Sequence, residues 1–383
     1  MIQIPQHVQE LNPYKAGQSP EEIRRIYGIT GEIIKLASNE NPLGPSPKAI
    51  ARVCEEAKNM HLYPNAGWTL REKLSEKYRV PFENIIAADG SESVLNIAFH
   101  TFLDREKGDI ALTCLGTFVG FNTMTKQGAF KTQYVPLTNE YKFDIPALAA
   151  AITPQTKILY LANANNPTGT YFTKDEFEWL MERVPQHVLV IMDEAYFEYS
   201  QAIAPDTYPD ALSYGFEGRF KNVITLRTFS KAYGVAGTRV GYGIAHKDII
   251  APMMKVKLPF EPNSLAQAAA LGALEDPEFL TNVIDTNTRG VEILYLGLKN
   301  LDLTVAESVA NFVMVDCGTL ETAQEFYTAL LRKGIISRPL GGFSLPHCVR
   351  ISTGTDEQNK YVVKSVTEIV KDLPELSDRK VAL

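Results

Sequence analysis

TKILYLANANNPTGTYFTKDEFEWLMERVPQHVLVIMDEAY, residues 156–196, sets the reading of the whole chain. Two short runs, TKILYLAN and VLVIMDE, are rich in Ile, Leu, Val and Tyr and end in polar residues, with a charged stretch between them. Unbroken apolar runs of this length, as opposed to alternating ones, suit strands that are covered on both faces. The unit recurs outward from this stretch, as NIIAAD, DIALTCL and FKTQYVPL before it and as NVITLRT and TRVGYGIA after it. Seven such strands alternating with helical stretches predict an α/β domain built on a mostly parallel seven-stranded sheet flanked by helices.

The rest of the chain reads differently. Before Pro47 it is irregular and rich in Pro, Gly and Asn, and after Pro259 long helical stretches give way to ANFVMVD, a further helix, IISRPL, CVRIST and a terminal helix. A chain of 383 residues exceeds what one core usually holds. The expected division is an N-terminal arm over 1–35, a large α/β domain over 36–262, and a smaller α/β domain over 263–383.

Composition excludes several function classes. A net charge of −7 disfavours a nucleic-acid partner, because affinity for phosphate backbones comes from clustered Lys and Arg. The four cysteines are scattered, with no CxxC pair, so neither a disulfide framework nor a zinc site is expected and no metal is called for. The start, MIQIPQHVQELNPYK, lacks an apolar signal core, and no apolar run is long enough to span a bilayer. A cytoplasmic protein acting on small molecules, with no membrane partner, is the expectation.

In open α/β sheets ligands bind beyond the carboxyl ends of the strands, so the residues there are read together. They are Asp89-Gly90-Ser91-Glu92, Asn165-Asn166-Pro167-Thr168-Gly169, Asp193-Glu194-Ala195-Tyr196 and Thr228-Phe229-Ser230-Lys231. A lysine at such a position calls for a use for its amine, since buried charges are otherwise paired or avoided. Alone, a Ser-Lys pair is most often a surface loop, and an Asp-Glu pair could equally bind magnesium or cap a helix. No GxxxxGK[ST] loop accompanies Asp193, and Gly241-Tyr242-Gly243 is not followed by a third glycine, so neither an NTPase nor a Rossmann dehydrogenase fits. Pyridoxal chemistry does fit: it needs an amine to hold the cofactor's aldehyde, here Lys231, and an acid against the ring nitrogen, here Asp193. The helix opening at Gly90-Ser91-Glu92, with Thr228, Ser230 and Arg239, could supply donors for a phosphate.

Four ordered motifs carry a resemblance over nearly the whole chain: LASNENPLGPSP at 36–47, NNPTG at 165–169, DEAY at 193–196 and TFSKAYGVAGTRVGY at 228–242. The chain resembles the fold-type-I pyridoxal-phosphate-dependent aminotransferases, in particular their histidinol-phosphate branch. The resemblance implies a homodimer with shared active sites that moves an amino group between glutamate or 2-oxoglutarate and histidinol phosphate. An aromatic amino acid aminotransferase, or a decarboxylase or lyase on the same fold, stays open. It also implies roles by position. Asn166 and Tyr196 would bond the cofactor's ring hydroxyl, Phe118 would stack on the ring, and Ser91, Glu92, Thr228, Ser230 and Arg239 would surround its phosphate. Tyr63 would reach the partner subunit's cofactor. Tyr14 and Asn41 would close over the substrate, Arg350 would clamp the amino donor's carboxylate, and Arg338 would bind a second anionic group. Gly90-Ser91-Glu92-Ser93 and Leu115-Gly116-Thr117-Phe118 depart from the family's usual Gly-Ser-Asp-Glu and Pro-Thr-Tyr.

Overall fold

The computed structural model describes residues 2–11, 19–216 and 218–376. All seven expected strands form one sheet: β1 (Ile85–Ala88), β2 (Ile110–Cys114), β3 (Lys131–Val135), β4 (Thr156–Ala162), β5 (Leu189–Asp193), β6 (Val223–Thr228) and β7 (Gly241–Ala245). Their order is β1-β7-β6-β5-β4-β2-β3, and every pairing is parallel except those that β7 makes with β1 and β6. β5 is buried along its full length between two helical layers, which is why its sequence shows no alternation. Ile158, Leu159, Val190, Ile191 and Ile224 form the centre of the largest core cluster.

A second, smaller unit carries a four-stranded antiparallel sheet of β8 (Thr304–Val305), β9 (Phe312–Asp316), β10 (Arg338–Pro339) and β11 (Cys348–Ser352), ordered β10-β11-β9-β8. Its core of Val313, Val315, Phe326, Val349, Ile351 and Val366 also takes in Ile34 and Leu36 from the N-terminal segment. That segment adds a short strand, Ile34–Lys35, parallel to Ile335–Ile336. The helix Ser264–Leu274 packs against the helix Pro47–Glu56 through small side chains, and Ala266, Ala269 and Ala270 share a cluster with Leu70 and Tyr242 of the larger unit. The chain therefore leaves the larger unit along the next helix, Pro277–Lys299. Tyr141, in the loop after β3, ties the two units by donating its hydroxyl to Asp316 Oδ2 at 2.7 Å, and the tyrosine's hydroxyl oxygen lies 3.2 Å from His347 Nε2.

Candidate active site

The parallel strands end on a cavity of about 940 Å³, a size suited to a small organic ligand. Ser91, Glu92, Phe118, Asn166, Asp193, Tyr196, Thr228, Ser230, Lys231 and Arg239, all singled out in the sequence, line it, and Tyr160 joins them.

Asp193 is the last residue of β5 and is 8% exposed. Its Oδ2 accepts a 2.8 Å hydrogen bond from the Tyr160 hydroxyl, whereas its Oδ1 is buried and has no hydrogen-bond partner among the described residues. Burial is the main reason the carboxyl is pushed up to about 6, against the pull of the Tyr160 bond and the Ala195 N–H. An orphaned buried carboxylate oxygen is costly unless something else binds it.

Lys231 lies in the turn after β6, and its Nζ donates to the Ser38 carbonyl at 3.1 Å. Burial, then the neighbouring Arg350 and Arg239 charges, push the ammonium down to about 8, while Glu40 and Asp193 oppose the shift. A substantial fraction of the amine is thus neutral and nucleophilic near physiological pH.

One end of the cavity is built for an anion. Gly90, at φ +91°, caps the helix Ser91–Phe102 and aims its first N–H groups into the chamber; a Cβ there would sit 2.9 Å from Arg239 Nη2. Ser230 Oγ accepts from Thr228 Oγ1 at 3.0 Å and from Arg239 Nη1 at 3.4 Å. Arg239 also lies 3.4 Å from Glu92 Oε2, a loose pair with both side chains about half exposed, which leaves guanidinium capacity for another anion. Glu92 therefore competes with any bound anion for the arginine. Phe118 stands over Gly120, where a Cβ would fall 2.4 Å from its ring, so the glycine makes room for the aromatic face.

Arg350 of β11 does not itself line the cavity but reaches it through Asn166, to whose Oδ1 it donates; it is 4% exposed and also donates to the Ala37 carbonyl at 2.7 Å. Arg338 is directly opposite Arg350 in the antiparallel register, so both side chains leave the same face of that sheet. Tyr196 is held by Asn39, whose Nδ2 donates to its hydroxyl at 2.9 Å.

Four expected residues, Arg338, Arg350, Asn41 and Tyr63, do not line the cavity, and a fifth lies outside the described residues. Asn41 does not line the cavity: its Nδ2 donates to the Ala232 carbonyl at 3.1 Å and its Oδ1 accepts from the Leu43 N–H at 2.9 Å, so both ends of the amide brace the backbone beside Lys231. Tyr63 is 82% exposed, stacks on Phe260 at 4.5 Å and lies outside the cavity. Tyr14 falls outside the described residues. Sequence reading passed over Tyr160 and Asn39. The signal for Tyr160 was a hydroxyl in the middle of an apolar run, which must find a partner when buried.

Residues 31–366 match the family aminotransferase class I and II. The chain belongs to that family. This aminotransferase is 37% identical over 361 residues to the histidinol-phosphate aminotransferase of Moorella thermoacetica, with 94% of this chain and 91% of the relative covered. It is 38% identical to histidinol-phosphate aminotransferase 1 of Nitrosococcus oceani, with 95% and 96% covered. Its fold superposes with a TM-score of 0.86, at 26% identity, on the crystal structure of histidinol-phosphate aminotransferase from Sinorhizobium meliloti in complex with pyridoxal 5'-phosphate, covering 97% of this chain and 99% of that one. Among the described residues no helix of this aminotransferase is long and apolar enough to cross a membrane.

Proposed function

We propose that this aminotransferase binds pyridoxal 5'-phosphate between Lys231 and Asp193 and moves an amino group between glutamate or 2-oxoglutarate and histidinol phosphate or its keto counterpart. The observation that carries the reading is one cavity holding an amine lowered to about 8 and a buried carboxylate oxygen that no hydrogen-bond donor among the described residues satisfies. The residues present fit the cofactor: Asp193 Oδ1 suits a protonated ring nitrogen, and Gly90, Ser91, Thr228, Ser230 and Arg239 suit its phosphate. Phe118 suits the ring face, and Asn166 and Tyr196 suit its hydroxyl.

When bound, the cofactor supplies an aldehyde that captures an amine and a protonated ring that accepts the electrons released at the substrate carbon. Lys231 Nζ would hold that aldehyde and, once displaced, would accept the proton from the amino-bearing carbon; an amine near 8 is poised to take and return it. Asp193 keeps its charge toward the ring and Tyr160 keeps the carboxylate oriented. Arg350, fixed by Ala37 and Asn166 and flanked by the Phe312 and Phe343 rings, orients a substrate carboxylate. Arg338 on the same sheet face suits a second anion, such as the phosphate of histidinol phosphate or the side-chain carboxylate of glutamate.

The reading includes a cytosolic homodimer. Met60, Leu62, Tyr63, Trp68, Leu258 and Phe260 are each at least 47% exposed, an apolar surface suited to a second copy. The segment from Leu258 to Asn263 leads from that surface to the cavity wall, which supports Tyr63 reaching a partner's cofactor. Four unbridged cysteines suit a reducing compartment. The test incubates the cofactor-loaded protein with 2-oxoglutarate and histidinol phosphate, phenylalanine or tyrosine, and follows glutamate. Histidinol phosphate should give the highest kcat/KM. Faster turnover of an aromatic amino acid would reassign the substrate, and release of carbon dioxide without glutamate would mark a decarboxylase.

A further inference from the structure

Asp193 is held by a group that its usual pairing with a ring nitrogen does not require. Tyr160 sits in the middle of β4, fully buried, and its ring stacks on Phe121 with centroids 4.9 Å apart and planes at 27°. β4 and β5 pair in parallel with Ala162 opposite Asp193, and Tyr160, Ala162 and Ala164 all reach the cavity wall as alternate residues of one face. From there the tyrosine hydroxyl donates to Asp193 Oδ2 at 2.8 Å and leaves Oδ1 as the oxygen with no hydrogen-bond partner among the described residues.

We propose that Tyr160 is a positioning residue for Asp193: its hydroxyl locks one carboxylate oxygen so that the other is presented, ionised, to the ring nitrogen of the cofactor. The inference rests on the pyridoxal-phosphate reading above and deepens it.

Three features make this more than a filled core position. The phenol can only donate here, because burial first and the adjacent Asp193 charge next hold it well above its ordinary range, so it stays protonated. A donor to a carboxylate favours the ionised form, and Tyr160 opposes the burial that drives Asp193 toward its neutral form. A neutral Asp193 would offer the ring nitrogen no charge and could itself donate, so the tyrosine works on the protonation state as well as on the rotamer. The stack with Phe121 fixes the ring that carries the hydroxyl.

The test is Tyr160→Phe, which keeps the stacked ring and removes one oxygen. Cofactor affinity should fall by about tenfold or more, the range expected for a lost hydrogen bond to a charged group. The acid limb of the pH profile for cofactor binding should move to higher pH, because Asp193 then ionises later. In an Asp193→Asn background the same change should cost little further affinity, since the tyrosine acts through the carboxylate. If Tyr160→Phe does not fold, 3-fluorotyrosine at position 160 keeps the shape, strengthens the donor and should move the limb to lower pH. An unmoved limb in the variant that folds, or equal losses in the two backgrounds, overturns the proposal. A wild-type protein that takes up the cofactor while Tyr160→Phe matches it refutes only this inference; a wild-type protein that takes up none refutes the parent reading and this inference together.

Discussion

Replacing Asp193 by Asn should make the cofactor-free protein more stable and the loaded enzyme nearly inert. The carboxyl is raised from an ordinary 3.8 to about 6 by burial, a difference that corresponds to about 3 kcal/mol. Its folded value lies above its unfolded value, so its contribution is fully present below 3.8 and is lost as pH rises through about 6. At neutral pH the wild-type fold therefore carries a penalty of up to about 3 kcal/mol that Asn, with no proton to lose, does not. Activity runs the other way. An ion pair at about 4 Å in an effective dielectric of about 20 is worth about 4 kcal/mol, or roughly three units in the ring nitrogen's pKa, so turnover should fall by about a thousandfold. Urea unfolding of both cofactor-free proteins at about pH 5 and about pH 7.5, beside single-turnover rates of the loaded forms, measures both effects. The stability gain should grow between those two pH values. No gain at the higher pH together with less than a tenfold loss of turnover would refute the assignment of a buried, ionised carboxylate to the cofactor.

Other consequences are equally open to measurement. Arg350→Lys keeps the charge but loses the fork that a carboxylate matches, so KM for glutamate should rise about ten- to a hundredfold with a smaller change in kcat, read by steady-state kinetics. Capture of pyridoxal phosphate by the cofactor-free protein should quicken as pH rises through about 8, the value to which Lys231 is pushed down, and stopped-flow absorbance would follow it. Arg227, 1% exposed and bonded to Glu194 Oε2 at 2.7 Å and 3.0 Å and to Asp210 Oδ1 at 2.7 Å, is a structural counterpart. Arg227→Met strands the Glu194 charge in the core and should cost about 3–5 kcal/mol in urea unfolding.

The large sheet was legible because strands buried on both faces are written as unbroken apolar runs, and each run ended within a residue or two of its strand. Lys231 and Asp193 were legible because such strands end in polar residues at one rim, and Arg239 because it follows Lys231 across a stretch of small residues; all three line the cavity found there. The helix Ser264–Leu274 was harder to assign. Its composition, SLAQAAALGALE, says only that it packs closely, and the partner that decides its side, the helix Pro47–Glu56, lies more than two hundred residues earlier. Asn41 and Asn39 illustrate a second limit. Both are amides in one motif, yet one braces the backbone near Lys231 and the other holds the Tyr196 hydroxyl, a difference set by the path of the N-terminal segment. Tyr160 escaped notice because attention to strand ends passes over a hydroxyl in mid-strand, where only the three-dimensional register shows which acid it meets.

Borohydride reduction of the protein in the presence of pyridoxal phosphate, followed by peptide mass mapping, probes the core assignment with the fewest steps. A single cofactor-sized mass increase on the peptide that contains Lys231, absent from Lys231→Ala, is the predicted result. Labelling of other lysines with that peptide left unmodified would contradict the account.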